Sequence, residues 1–319
     1  MSTGHVLICG LGSIGRRHLR HFRALGIGRI DAYRSGLATL PDEGQPAPDR
    51  VFTDLEEAVA ERPEVVVVAN PTALHVPTAL AAVRAGCAVL LEKPVSHALD
   101  GCDALLAEAR ASGVPVSVAC NLRFHPSVRL FREWVLTGEP LGRAILARGH
   151  FGAYLPDWHP WEDYRKGYAG RRDLGGGATL TSIHEIDTAL WLFGPVRDAH
   201  CASIGFSPLG TDIQEAAGLL LSHQSGTVST ITLSLAQKPA SRSLEVNFER
   251  GTATLDLLTG RWVLRHHDVR VEEGGPPEGW QFDDTYRDQA IAILASSRHG
   301  APVSVTLEEG MAALRIAVA

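Results

Sequence analysis

Long apolar runs are missing from this 319-residue chain, as are the features that define several protein classes. No stretch approaches the roughly 20 consecutive apolar residues of a membrane-spanning helix, so no membrane partner is expected. The first residues lead almost at once into a strand pattern, and no signal peptide is expected. There is no basic excess: a formal net charge of −6 gives no footprint for nucleic acid or an anionic surface. Cysteines number five (Cys9, Cys87, Cys102, Cys120 and Cys201), an odd count scattered mostly through apolar segments. That pattern argues against a disulfide framework and a zinc cluster, and fits reduced thiols in a cytoplasmic protein. The histidines lack ligand-like spacing, which leaves a zinc hydrolase without support and no metal expected. No internal repeat stands out.

What is present reads as a globular α/β protein long enough for two domains, with ordinary hydrophobic (45%) and charged (21%) fractions. Val6–Cys9 has the pattern of a short buried strand and runs into Gly10-Leu11-Gly12-Ser13-Ile14-Gly15, followed by a helical stretch to about Leu25. The strand–turn–helix context gives the three glycines meaning. Gly10 permits the turn, Gly12 lets backbone approach a pyrophosphate, Gly15 lets helix and strand pack closely, and Ser13 and Ile14 open the helix whose free N–H groups meet the phosphates. The bland alternative is a glycine-rich turn without ligand. A second strand spans Arg29–Tyr33; Arg34 and Ser35 stand at its end, where an acidic residue would read a free ribose diol, while Asp31 falls too early. A guanidinium and a hydroxyl suit a 2′-phosphate, which favours NADP over NAD, although Arg34 stacked on adenine or turned to solvent is the alternative.

Residues 36–50 read as an exposed loop, and Asp54 as the N-cap of a short helix through Ala60. Val65–Ala69 is a core strand ending at Asn70-Pro71-Thr72, with His75 close behind, placed either to touch a nicotinamide ribose or to cap the helix 77–84. Next, Val89-Leu90-Leu91 leads directly into Glu92-Lys93-Pro94. Ligands in an open α/β sheet lie outside the carboxyl ends of the strands, so Lys93 faces the ligand crevice; Pro94 is a candidate cis bond. Helix 99–111 and strand 114–119 complete a doubly wound parallel sheet, and the dinucleotide-binding domain is expected over 1–122.

Residues 123–319 are expected to form a second α/β domain that binds substrate and mediates oligomerisation. A helix over 126–138 presents Val128, Phe131, Val135 and Leu136, and 144–151 reads as a strand. The segment 152–173 interleaves aromatics with polar groups, including Trp158, His159, Trp161, Tyr164 and Arg165. That mixture suits a polyhydroxylated ligand, or equally a packed or intersubunit loop. After Gly175-Gly176-Gly177 a helix is expected to carry Thr181, His184 and Asp187 on one face, with the aspartate orienting a histidine that acts as general base. Short apolar segments from 196 to 271 read as a largely antiparallel sheet, and two helices close the chain.

Taken together, Gly10–Gly15, Ala69-Asn70-Pro71-Thr72 with His75, Glu92-Lys93-Pro94, Asn121-Leu122-Arg123-Phe124-His125-Pro126, and Gly175–Gly177 followed by His184-Glu185-Ile186-Asp187 resemble the Gfo/Idh/MocA family of NAD(P)-dependent oxidoreductases over nearly the whole chain. The resemblance implies a Rossmann domain followed by an α/β domain with a large, mostly antiparallel sheet. It implies a homodimer or homotetramer built through that sheet, and hydride transfer at a carbinol carbon of a sugar, cyclitol or related polyol. The family's catalytic lysine falls on Lys93, its histidine on His184, and Asp187 fits its pattern. Arg123, Thr181 and the 158–165 segment then lie on the substrate side. Many members place an aspartate one turn before the histidine; Leu180 and Thr181 stand there instead. That departure keeps two alternatives in view: a dinucleotide-bound sensor or scaffold without chemistry, and an NAD-dependent glycoside hydrolase of the same family.

Overall fold

The computed structural model describes residues 4–36, 47–160 and 162–319; most of the loop expected over 36–50, and Trp161, lie outside the described residues. In chain order the elements are β1 (His5–Cys9), α1 (Ser13–Ala24), β2 (Arg29–Tyr33), β3 (Val51–Phe52), α2 (Leu55–Ala60), β4 (Val65–Val68), α3 (His75–Arg84), β5 (Ala88–Leu91), α4 (Cys102–Ser112), β6 (Val116–Val118), α5 (Pro126–Thr137), β7 (Ala144–Tyr154), α6 (Ala178–Thr181), α7 (His184–Phe193), β8 (Val196–Ser203), β9 (Ala216–His223), β10 (Val228–Ser234), β11 (Ala236–Phe248), β12 (Gly251–Asp256), β13 (Trp262–His266), β14 (Val271–Gly274), α8 (Asp284–His299) and α9 (Leu307–Val318). Among the described residues no helix is long and apolar enough to cross a membrane.

Two compact units divide the chain. The first comprises Met1–Asn121, Asp173–Gly175 and Asp283–Arg315, built on a six-stranded parallel sheet in the order β3-β2-β1-β4-β5-β6. Its central strands are apolar on both faces because both faces are covered: Val65–Val68 and Ala88–Leu91 are buried throughout. Val6, Ile8, Leu19, Phe22, Ile30, Val65, Val67 and Leu90 pack with Ala290, Ile293 and Leu294 of α8 into one core. The sequence expectation of a second domain running unbroken over 123–319 is corrected here. The closing helices return to the parallel sheet, because the apolar face of α8 finds its partners on that sheet.

The second unit comprises Leu122–Arg172, Gly176–Phe282 and Ile316–Ala319, with an eight-stranded sheet ordered β14-β13-β12-β11-β7-β10-β9-β8. Among the described residues the β7–β10 pair is parallel and the other neighbours in this sheet are antiparallel. Inward positions (Ala147, Leu219, Leu221, Ile231, Leu233, Leu244, Val246) alternate with open ones, as one covered face requires. On α5 the buried aromatic is Trp134, beside Phe131, whereas Leu136 is 66% exposed. Val128 and Phe131 are buried as expected, and the stripe differs only at its end, where Trp134 is buried in place of Leu136.

Candidate active site

The register of the parallel sheet places the candidates of the first unit. Cys9 lies opposite Tyr33 and Val68, Val68 opposite Leu91, and Leu91 opposite Val118. The residues that follow these positions share one carboxyl edge: Gly10, Arg34, Ala69 with Asn70, and Glu92 with Lys93. With strands ~4.8 Å apart, two strand spacings put the lysine turn about 10 Å from the glycine turn. Between β1 and β4 the strand order reverses, which is where an open α/β sheet forms its ligand crevice.

The glycines meet the fit required of a dinucleotide. Gly10 has φ +98°, and a Cβ there would stand 2.8 Å from Ala69 O and Asn70 N. A Cβ on Gly15 would stand 1.9 Å from Gly10 O, so only glycine lets α1 start this close to β1. Around Gly12 the space is open. No side chain caps α1 and no acidic residue occupies its first turn, so its N–H groups and positive dipole end face outward beside exposed Ser13 and half-buried Ile14. At the end of β2, Arg34 is half-buried and Ser35 exposed. Asp31 is buried within the strand and paired with His5 (3.0 Å) and Arg29 (2.7 Å), as befits its early place. Asp54 caps α2 by accepting from Glu57 N at 3.1 Å.

The lysine turn is held by two histidines. Glu92 Oε1 accepts from His18 Nε2 at 2.7 Å, and the His18 side chain is fully buried. His75 is the first residue of α3 and directs Nδ1 to Pro94 O (2.7 Å) and Nε2 to Asn70 O (3.0 Å), while Asn70 Nδ2 donates to Thr78 Oγ1 (2.8 Å). Burial pushes the His75 ring down in pKa against the pull of those two carbonyls. Burial pushes the Glu92 carboxyl up, but the hydrogen bond and proximity of His18, then Lys93, hold it below the usual carboxylate range. Pro71 precedes the short turn Thr72–Leu74, and the Lys93–Pro94 peptide is cis. His18 is a functional candidate that the sequence alone did not single out. Its signal was the spacing Gly15, His18, Leu19, Phe22, which puts the ring on the buried face of α1.

The second unit holds the remaining candidates. The helix expected to carry Thr181, His184 and Asp187 is broken: α6 ends at Thr181, and Ser182 (φ −104°, ψ 34°) interrupts it before α7 begins at His184. Thr181 is buried and His184 half-buried. Asp187 is buried and takes Arg123 on both oxygens, Nη2 to Oδ1 at 2.6 Å and Nε to Oδ2 at 3.1 Å. The Arg123 guanidinium also lies 5.5 Å over the Trp191 ring. Arg123 and Asp187, expected to serve substrate and histidine respectively, thus form a scaffold pair between the segment before α5 and the body of α7. Glu185, one residue past His184, is buried and bonds Arg242 Nε of β11 at 2.7 Å, anchoring the start of α7 to the sheet. In the aromatic segment, Tyr164 donates its hydroxyl to Leu209 O (2.8 Å), Trp158 meets Phe151 edge-on at 6.2 Å, and His159 is half-buried. Arg165 is exposed and paired with Asp163 at 2.9 Å. Among the described residues no three His, Cys, Asp or Glu side chains gather as a metal site.

Comparison with known proteins gives concordant results. Residues 5–120 match the model of an oxidoreductase family with an NAD-binding Rossmann fold, and residues 128–254 match the GFO/IDH/MocA C-terminal domain. An inositol 2-dehydrogenase of Rubrobacter xylanophilus is 25% identical, covering 94% of this chain and 93% of that protein. A 1,5-anhydro-D-fructose reductase of Ensifer adhaerens is 29% identical over 84% of this chain and 79% of its own. Among solved structures, a levoglucosan dehydrogenase in complex with NADH and levoglucosan superposes with a TM-score of 0.86 at 17% identity, covering 99% of this chain and 95% of that one. At that identity the likeness is one of fold.

Proposed function

Because the chain belongs to the Gfo/Idh/MocA family of NAD-binding oxidoreductases, we propose that it transfers a hydride between a nicotinamide dinucleotide and a carbinol or carbonyl carbon of a sugar, cyclitol or related polyol. The observation that carries this reading is the Glu92-Lys93-Pro94 turn on the same row of strand ends as the glycine cradle. Gly10, Gly12, Ser13, Ile14 and Gly15 hold the pyrophosphate, and Asn70, Pro71, His75 and Glu92 line the edge toward the nicotinamide. The bound dinucleotide supplies hydride acceptance and return. Lys93 hydrogen-bonds the reacting oxygen and its charge stabilises developing alkoxide, while His184 takes or returns the hydroxyl proton. Trp158, His159, Tyr164, Arg165 and Thr181 serve the polyhydroxylated substrate, and Arg123 with Asp187 keeps α7 in place.

Arg34 and Ser35 at the end of β2 favour NADP, since the acid of that strand, Asp31, is committed to His5 and Arg29. Arg34→Ala should weaken NADPH binding roughly tenfold or more and NADH far less; equal losses would assign the site to NAD. The open outer face of the large sheet, with Arg148, His150, Leu220, Thr230 and Thr232 outward, supports a homodimer or homotetramer.

The test of the reaction is reduced-nicotinamide absorbance against a panel of sugars, inositols and sugar nucleotides. Lys93→Met should lower turnover by roughly a hundredfold or more while the dinucleotide still binds; full turnover in that variant removes the lysine from the chemistry. Sugar release with no net cofactor reduction would instead identify the glycoside hydrolase. Dinucleotide binding with no turnover on any compound of the panel would favour the sensor to which Leu180 points.

A further inference from the structure

Lys93 is followed by a proline and preceded by a carboxylate, and that carboxylate is the best-anchored group of the turn. Glu92 N donates to Val68 O at 2.9 Å, Glu92 Oε2 faces Lys93 N at 3.3 Å, and Glu92 Oε1 takes the His18 ring at 2.7 Å. The two side chains are nearly solvent-free, at 0% exposure for His18 and 9% for Glu92. A buried carboxylate is costly unless hydrogen-bonded, so a donor placed this closely decides both where it points and whether it stays ionised. His18 itself is fixed from outside. The Tyr286 ring of α8 meets it edge-on at 5.9 Å, and the Arg17 guanidinium covers Tyr286 at 4.6 Å. Asp283 pairs with Arg17 at 3.0 Å and His21 at 2.9 Å. On the other side, the charged or titratable groups near Glu92 are Lys93 and His75.

We infer that His18 is a positioning residue for Lys93: by donating to Glu92 it keeps an oriented anion beside the lysine, and so sets the proton affinity of the amine that binds the reacting oxygen. The functional meaning rests on the catalytic assignment of Lys93 proposed above. Because His18 lies one turn beyond Gly15, the helix that receives the phosphates also sets the charge of the lysine turn.

The chain contains only three lysines, Lys93, Lys166 and Lys238, so acetylation by acetic anhydride can be followed at each by peptide mass spectrometry across pH on the intact protein. Glu92→Gln should lower the pH midpoint of Lys93 acetylation by roughly half to one unit, a three- to tenfold faster reaction at pH 7. His18→Leu should shift it in the same direction, and the double variant should add little to either. His18→Gln, which keeps an N–H at the reach of Nε2, should restore the wild-type midpoint. The Lys166 profile should stay unchanged in every variant. If His18→Leu fails to fold, His18→Asn, which withdraws the donor from Glu92, is read the same way. A folded variant without the donor that keeps the wild-type Lys93 midpoint, or additive shifts in the double variant, overturns the inference. No substrate or turnover enters the measurement. It can therefore fail with Lys93 still catalytic, and it can succeed with Lys93→Met still active.

Discussion

Two arginine–carboxylate pairs in the second unit are made of the same groups and sit in opposite surroundings. Arg123 and Asp187 are buried, with side chains 6% and 1% exposed, joined through both carboxylate oxygens and backed by Trp191. Arg165 and Asp163 are two residues apart on one loop, 61% and 32% exposed. The resemblance put Arg123 on the substrate side and Asp187 was expected to orient His184, while the mixed composition of the loop suggested a substrate role for Arg165. The difference teaches that an ion pair's role follows from its solvent, not its chemistry. A buried pair cannot release either member cheaply, whereas a surface pair can exchange its partner for water or ligand.

Breaking the buried pair should give the largest effect. Asp187→Ala strands a guanidinium away from water and should cost about 3–5 kcal/mol, read as a large drop in the urea midpoint. The double change Arg123→Met with Asp187→Leu removes both charges and should recover most of that loss. If the double variant were as unstable as Asp187→Ala, the pair would be fixing a unique arrangement rather than satisfying two buried charges.

A buried group that stays neutral gives the intermediate case. His125 caps α5 by accepting from Ser127 N at 3.1 Å and packs edge-on against Trp280 at 4.6 Å. Burial, then the charge of Arg242, hold its ring down to about 4. The folded state therefore binds this proton less readily than the unfolded chain does. Its stabilising contribution is complete above about pH 6.5 and is lost as pH falls toward 4, on the order of 3 kcal/mol across that window. His125→Asn keeps a capping acceptor without the titration, so its urea midpoint should fall less than that of the unaltered protein between pH 7 and 4.5. Parallel curves would remove His125 as the source.

These pairings also mark the limit of what the residues disclosed in advance. Local grammar was readable: the apolar runs at 65–68 and 88–91, the strand–turn–helix of Gly10–Gly15, and the cap at Asp54 each follow from neighbours a few residues away. The buried run 88–91 ends at Leu91, which puts Glu92 and Lys93 at the carboxyl end of β5. What local grammar hides is any partner set by tertiary contact. His18 finds Glu92 74 residues away, and Arg123 finds Asp187 64 residues away; no spacing announces either. The break at Ser182 was hidden for another reason. Thr181, His184 and Asp187 fit a helical period, and periodicity does not register one residue leaving it. Trp134 replaced Leu136 in the core because a large aromatic facing Phe131 and Trp262 buries more area than a leucine at the helix end.

The surface pair gives the smallest structural effect and the sharpest functional one. The Asp163 carboxyl is held below its usual range first by the Arg165 hydrogen bonds, yet both groups remain in contact with water. Asp163→Asn should therefore leave the urea midpoint in place, since solvent replaces what the pair provides. It also frees the Arg165 guanidinium for an incoming hydroxylated ligand. If Arg165 serves substrate, KM in the Asp163→Asn variant should change while kcat stays level, and Arg165→Ala should raise KM with no loss of stability. If neither variant alters KM, Arg165 belongs to the loop's own structure, and the substrate contacts of this segment fall to Trp158, His159 and Tyr164, which are half-buried.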